Sequence, residues 1–129
     1  MMRAAAAIAL CGTFLIGGSS PATAAPDPKP GVQLKIVNAV KGGQTKTVWL
    51  HCAPVGGTHP NPRAACRLLE QVNGKPAQLA VAPNTACTRE FEPHAVVVVG
   101  RWHRQVVKWA KVFPNSCEVR AATGAVASL

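Results

Sequence analysis

The sequence predicts an α+β fold in which an antiparallel sheet is combined with two helices. Two segments near the start alternate apolar and polar residues with a period of two, which is typical of half-buried strands. Two other segments carry the apolar spacing or the capping residues of helices. Along the chain this amounts to about five strands and two helices in a strand-rich order, with no internal repeat.

The first two strands are predicted to form a hairpin. Residues 32–37 and residues 47–52 each alternate apolar and polar side chains. Lys41-Gly42-Gly43-Gln44 lies between them and is a turn signal. We therefore expect the two segments to pair.

The first helix is predicted after a loop that covers residues 54–62. Asn61 is a good N-cap residue, and Pro62 suits the first helical position. Apolar residues then recur at helical spacing on one face: Ala65, Leu68, Leu69 and Val72. Gly74 is expected to end the helix at the C′ position.

The second half of the domain is predicted to be strand, turn and strand. Residues 75–86 are irregular, and residues 95–99 form a continuous apolar run typical of a buried strand. A turn at Gly100-Arg101 leads to a strand over residues 105–113. A short helix begins at Asn115, and residues 125–129 are expected to form a final strand.

Residues 1–25 have the three regions of a secretory signal peptide: a basic start, an apolar run and a small-x-small motif ending at Ala24. The apolar run is shorter than the roughly 20 residues that span a bilayer as a helix. Residues 26–31 are expected to be a proline-rich leader. Residues 32–129 are then one secreted domain with no membrane attachment after cleavage.

Four cysteines remain when Cys11 is removed with the signal peptide: Cys52, Cys66, Cys87 and Cys117. An even number in an exported domain indicates disulfides, with three possible pairings, of which sequential pairing is the simplest. No two of these cysteines have the C-x-x-C spacing of zinc ribbons or redox motifs, so no metal site is expected.

No catalytic set is recognisable. Hydrolysis needs a nucleophile, a base and usually a carboxylate that orients the base, and the only aspartate, Asp27, lies in the leader. The histidines follow no metal-ligand spacing and are expected on the surface: His51, His59, His94 and His103. We therefore expect no enzyme activity, no metal and no cofactor.

The chain is basic, with a formal net charge of +9. Such a charge fits nucleic acid, an anionic cell-envelope polymer or an acidic protein partner, and also solubility alone. Cations alternate with tryptophans in one segment, which raises a nucleic-acid hypothesis: Arg101, Trp102, His103, Arg104, Lys108, Trp109 and Lys111. Core packing explains Trp109 equally well, so no nucleic-acid partner is expected.

One stretch combines a cysteine at its start, a proline at its end and a cation two residues past the sulfur: Cys87, Thr88, Arg89, Glu90, Phe91, Glu92 and Pro93. A protease specific for basic residues would recognise Arg89–Glu90 as a peptide bond to cut. The cysteine and the proline are suited to holding that bond still.

Several motifs together resemble the Streptomyces subtilisin inhibitor family of secreted serine-protease inhibitors. They are Leu50-His51-Cys52-Ala53-Pro54, Gly57-Thr58-His59-Pro60, Ala65-Cys66, Cys87 followed by Glu92-Pro93, and Val112-Phe113-Pro114-Asn115-Ser116-Cys117-Glu118. They span nearly the whole predicted domain.

The resemblance implies a five-stranded antiparallel sheet with two helices on one face, disulfides Cys52–Cys66 and Cys87–Cys117, and a homodimer formed through the sheets. It also implies that the reactive bond follows the second residue after the third cysteine. In this sequence that bond is Arg89–Glu90. The implied partners are trypsin-like and subtilisin-like serine endopeptidases.

Two residues of the stretch depart from the pattern of the family. Thr88 stands where proline is common, and Glu90 places an acid after the reactive bond, where it would either pair with Arg89 or repel acids of an enzyme. Two alternatives to inhibition follow. The scaffold would serve as a basic cell-envelope or nucleic-acid binding module, or as a substrate of a protease or crosslinking enzyme.

Overall fold

The structure is a computed structural model that describes residues 29–129; the predicted signal peptide and most of the predicted leader lie outside this range. Five antiparallel strands form one sheet in the order β3-β2-β1-β4-β5. The strands are β1 (Val32–Val40), β2 (Thr45–Cys52), β3 (Gly56–Gly57), β4 (His94–Trp102) and β5 (Gln105–Phe113). The helices are α1 (Pro62–Gln71) and α2 (Ser116–Thr123), with 3₁₀ turns at Pro76–Gln78 and Gly124–Val126. The predicted fold class is confirmed.

The core lies between one face of the sheet and the two helices. Val32, Leu34 and Ile36 of the central strand β1 are fully buried, as the alternating pattern predicts. They belong to one cluster with Leu69 of α1 and Val119 of α2. Because both helices cover the same face, the other face of the sheet is open.

Both predicted disulfides are present. Cys52–Cys66 joins the end of β2 to α1, and Cys87–Cys117 joins the segment before β4 to α2. Constraining the unfolded chain in this way stabilises a domain of this size by about 3–4 kcal/mol for each bond. The two observed bonds are the sequential pairs, so the predicted pairing is correct.

The predicted C-terminal strand over residues 125–129 is wrong. The fifth strand is instead Gly56–Gly57, which pairs with β2 inside the segment predicted as a loop. Val126 and Ala127 are both buried, whereas strand alternation would bury only one of two neighbours. Their carbonyls accept hydrogen bonds from side chains, His59 Nε2 and Asn38 Nδ2, each at 3.0 Å. Side chains thus satisfy this backbone, and no neighbouring strand is needed.

The predicted turn at Gly100-Arg101 is also wrong, since β4 continues to Trp102. Gly100 lies opposite Leu34 inside the sheet. Its φ is +144°, and a Cβ there would come 2.1 Å from the carbonyl oxygen of Gln33. Glycine is needed here because two strands approach closely, and not because the chain reverses.

The end of α1 differs by one residue from the prediction. Asn73, with a φ of 53°, occupies C′, and Gly74 follows it. The Gly74 N–H donates to Leu69 at 2.8 Å and the Asn73 N–H donates to Glu70 at 3.2 Å, which is the Schellman pattern. At the other end Asn61 makes no side-chain cap.

Gly74→Ala is expected to lower the free energy of unfolding by about 3 kcal/mol or more. A Cβ at this position would come 2.2 Å from the ring of buried Trp102, and the residue has a φ of +72°. Gly42→Ala is the matched control, because Gly42 has a φ of +74° and open space around it. The control should lose only about 1 kcal/mol. Urea unfolding measures both, and equal losses would contradict the steric explanation.

Candidate functional site

The predicted reactive stretch is an irregular segment that stands out from the domain just before β4. Thr88, Arg89, Glu90, Phe91 and Glu92 are all exposed. Phe91 is 79% exposed, an unusual position for a large apolar side chain. Such a residue is well placed to contact a partner.

Three attachments hold the two ends of this segment to the domain. Cys87 is bonded to Cys117 at the start of α2. Near the other end, the N–H of Glu92 donates to the carbonyl of Pro114 at 2.8 Å, and the carbonyl of Pro93 accepts from Lys41 at 2.9 Å. The exposed peptides therefore lie between fixed ends.

Asn115 supports the middle of the segment from beneath. Its side-chain nitrogen Nδ2 donates to the carbonyl of Thr88 at 3.0 Å and to that of Glu90 at 2.9 Å. Its Oδ1 accepts from the Glu118 N–H at 3.0 Å, which caps α2. Asn115 is only 5% exposed, so these bonds form with little competition from water.

The two carbonyls bound by Asn115 flank the Arg89–Glu90 bond. In an extended chain, alternate carbonyls point to the same side and the one between them points away. We infer that the carbonyl of Arg89 points outward, toward an approaching nucleophile. The predicted reactive bond, Arg89–Glu90, thus lies between the two carbonyls that Asn115 holds.

The sequence predicts Asn115 as a helix cap and does not predict its role in the segment. One signal was available, since an asparagine that caps through Oδ1 keeps two free donors on Nδ2, unlike serine or aspartate. The Cys87–Cys117 bond then brings those donors to the segment.

Arg89 and Glu90 have no oppositely charged side chain close by in the described part of the chain. Within residues 29–129 the only close contact between a basic group and an Asp or Glu carboxylate is His94 Nε2 to Glu92 Oε1, at 3.9 Å. Glu90 does not pair with Arg89, so the first of its two predicted effects is absent. The guanidinium of Arg89 is therefore available to a carboxylate on a partner.

Two of the four histidines predicted to lie on the surface are buried. His94 and His59 are 7% and 4% exposed. His94 Nδ1 donates to Asn38 Oδ1 at 2.8 Å, because the Asn38 amide nitrogen is used by Ala127. These bonds fix His94, the residue that directly follows Pro93 at the end of the segment. Both histidines have a structural role, because both ring nitrogens of His59 and Nδ1 of His94 bond to neighbouring backbone and side chains. The Nε2 of His94 is buried and has no hydrogen-bond partner among the described residues.

Across the described residues, no three His, Cys, Asp or Glu side chains come together as metal ligands would. In the same range no helix has the length and apolar character needed to cross a membrane.

Comparison with known proteins identifies the family. Residues 32–115 match the subtilisin inhibitor-like family. A subtilisin inhibitor of Streptomyces violaceus is 44% identical over 94 residues, which are 71% of this chain and 64% of that protein. The transglutaminase-activating metalloprotease inhibitor of Streptomyces mobaraensis is 39% identical over 90 residues, 68% of this chain and 61% of that protein.

A solved structure agrees in fold. Sermetstatin of Streptomyces caespitosus, in complex with Bacillus licheniformis subtilisin, superposes with a TM-score of 0.62 at 28% identity. The match covers 75% of this chain and 97% of sermetstatin. The chain spans a little under two thirds of the length of the two Streptomyces inhibitors above. Since the matched residues extend from β1 to the start of α2, the chain belongs to the subtilisin inhibitor-like family.

Proposed function

We propose that this protein is a secreted inhibitor of serine endopeptidases whose reactive bond is Arg89–Glu90, and that it is not an enzyme. One observation carries the proposal: buried Asn115 holds the carbonyls on both sides of that bond. The names of its relatives and the sermetstatin–subtilisin complex support the same class of function. Secretion rests on the signal peptide predicted at residues 1–25, with residues 32–129 as the mature domain.

Binding would place the segment in the cleft of the protease as an added extended strand. Arg89 would enter the specificity pocket and meet its carboxylate in a charge-assisted pair. A flexible peptide loses affinity because binding orders it, whereas this segment is already held at Cys87, Asn115 and Glu92. The segment would therefore lose less conformational entropy on binding than a flexible substrate does, which favours tighter binding.

Cleavage would be reversible for the same reason. When the serine oxygen of the protease attacks the Arg89 carbonyl, the bond to the Glu90 nitrogen breaks and the nitrogen takes up a proton. The new amine stays in place because Asn115 holds the Glu90 carbonyl and Pro114 holds the Glu92 N–H. It attacks the acyl-enzyme at a high effective concentration and restores the peptide bond.

The side chains define the target class. Arg89 favours trypsin-like enzymes, and the relatives favour subtilisin-like ones as well. Thr88 lacks the backbone rigidity that proline would add at this position, but Asn115 holds the Thr88 carbonyl. Unpaired Glu90 would disfavour a protease with acidic residues at its leaving-group side.

Titration of trypsin and of subtilisin tests the proposal. We expect activity to fall in proportion to added protein, with an equivalence point near one domain per enzyme. Prolonged incubation with trace trypsin should yield a partly cut form whose new N-terminus is Glu90. Rapid and complete cleavage after Arg89, with full enzyme activity throughout, would instead identify a substrate.

We also propose a homodimer through the open face of the sheet. One part of this face, here the apolar half, carries small and aliphatic side chains: Val37, Ala39, Ala95, Val97, Ala110 and Val112. Val112 is 66% exposed although it is apolar. Packing two apolar halves together would remove these side chains from water.

Val112→Asp is expected to shift the protein toward monomer in sedimentation velocity, because a carboxylate would be buried without a partner. Val106→Asp is the matched control, since Val106 lies on the same strand and face but outside the apolar half, and is 82% exposed. A dimer that survives Val112→Asp unchanged would place the interface elsewhere.

A further inference from the structure

The open face of the sheet has a second part, here the cationic half, at the end away from the reactive segment. It consists of Lys29, Gln33, Lys35, Trp49, Arg101 and Lys108. Lys35 lies beside Trp49 on β2 and beside Val99 on β4, and Lys108 is the next residue across. Arg101 lies beside Gln33 in the adjacent row. Four cations, Lys29, Lys35, Arg101 and Lys108, therefore share this end of the face with one tryptophan.

The positive charge of this region is not compensated within the protein. Strands β1 to β5 contain no Asp or Glu; the acids of the described range lie on the helices and the reactive segment: Glu70, Glu90, Glu92 and Glu118. Between Lys29 and Leu129, no Lys or Arg comes within 4.0 Å of an Asp or Glu carboxylate. An uncompensated patch of one sign attracts ligands of the opposite sign.

Trp49 adds a flat apolar surface to this charge. Its side chain is 45% exposed because it stands on the open face, whereas Leu50 and Cys52 of the same strand face the core. It borders a shallow depression of about 500 Å³ that Lys29, Gln33 and Arg101 also line. A tryptophan face next to cations suits a ligand with both ring faces and acidic groups.

Solubility and protection of sheet edges explain this arrangement less well. Lysines often protect edge strands from pairing with another chain. Lys35, however, stands on β1, the central strand of the sheet. Its position at the middle of a face also opposes packing of a second copy there, because like charges would meet. The cationic half is thus distinct from the proposed dimer interface.

The cationic half is also remote from the reactive bond. Arg101 is seven residues along β4 from His94, where the reactive segment ends, or about 24 Å at the usual rise of a strand. A ligand on the cationic half would leave Arg89 free to enter a protease.

We propose that the cationic half binds an acidic polysaccharide, with Trp49 stacking on a sugar ring and the lysines and arginine pairing with its acidic groups. Sheets that bind single-stranded nucleic acid offer several aromatic side chains, one for each stacked base. Within the described strands, Trp49 is the only tryptophan, tyrosine or phenylalanine on the open face, with His51 in the adjacent row of β2. A chain held mainly by charge, with one stacked ring, fits this surface better.

Binding to heparin and to polygalacturonate, at several NaCl concentrations, tests the proposal on the wild-type protein and two triple variants. Lys35→Gln, Arg101→Gln and Lys108→Gln remove three cations from the cationic half. The control, Arg63→Gln, Arg67→Gln and Arg120→Gln, removes three exposed cations from the helices on the opposite side. We expect the first variant to bind roughly 30-fold more weakly with a shallower salt dependence, and the control to change less than about threefold.

Trp49→Ala, checked for folding by its thermal melting, separates stacking from charge. It should weaken binding to both polysaccharides several-fold while leaving binding to polyglutamate, which has no rings, unchanged. Equal losses in the two triple variants would overturn the proposal, because net charge alone would then explain binding. Tighter, Trp49-dependent binding to single-stranded DNA would assign the face to nucleic acid. Loss of heparin binding as the protein self-associates would assign it to a second copy.

Discussion

Arg89→Ala is expected to abolish trypsin inhibition while leaving the fold intact. The Arg89 side chain is exposed and has no carboxylate partner in the domain, so its loss should change the free energy of unfolding by less than about 0.5 kcal/mol. In the complex it would supply the only charge that reaches the trypsin pocket. Removing such a central cation costs about 4 kcal/mol or more, or roughly a thousandfold in the inhibition constant.

Two comparisons make the Arg89 experiment specific. Arg89→Lys keeps the charge and should retain most trypsin inhibition, with some loss because the bidentate pair is gone. Subtilisin-like enzymes accept varied side chains, so Arg89→Ala should still inhibit subtilisin within about tenfold of the wild type. If wild type and Arg89→Ala inhibit trypsin equally, the reactive bond lies elsewhere.

Asn115→Ala is expected to be cut as a substrate, because the proposed inhibition depends on the support that Asn115 gives. The change removes both hydrogen bonds to the Thr88 and Glu90 carbonyls and the cap of α2. We expect the free energy of unfolding to fall by about 2–3 kcal/mol, from the cap and the buried bonds together. Without its support the segment becomes flexible and the new amine is no longer held. Inhibition should weaken by about two orders of magnitude, and cleavage at Arg89–Glu90 should accelerate.

Asn115→Asp separates the cap from the support of the segment. Aspartate still accepts from the Glu118 N–H and suits a helix N-terminus, so the cap is preserved. It cannot donate to the two carbonyls and would repel them. We expect Asn115→Asp to keep the cap's share of the stability that Asn115→Ala loses, yet to be cleaved at least as fast, as measured by the yield of the Glu90 N-terminus with time. Cleavage as slow as in the wild type would show that the disulfide and Pro114 suffice.

Much of the fold could be predicted from local patterns. The apolar–polar alternation predicted the burial of Val32, Leu34 and Ile36, and the predicted cap residue Asn115 begins α2. The predictions that failed concern residues whose neighbours are distant in sequence. Gly100 is a glycine because Gln33 on another strand leaves no room for a Cβ, and the chain after Thr123 is held by Asn38 and His59. No pattern within a short window contains those partners.

The sequence by itself determined the strand and helix periodicities, the cysteines that staple them and the position of an arginine between a cysteine and a proline. Those features depend on neighbours along the chain, and the motifs among them resemble those of one family. Only the tertiary structure decided that Asn115 supports the Thr88 and Glu90 carbonyls and that the open face has an apolar and a cationic half. Both features depend on segments that strand register and a disulfide bring together. Hydrogen bonds and surface charge act between residues that are close in space, even when those residues are far apart along the chain.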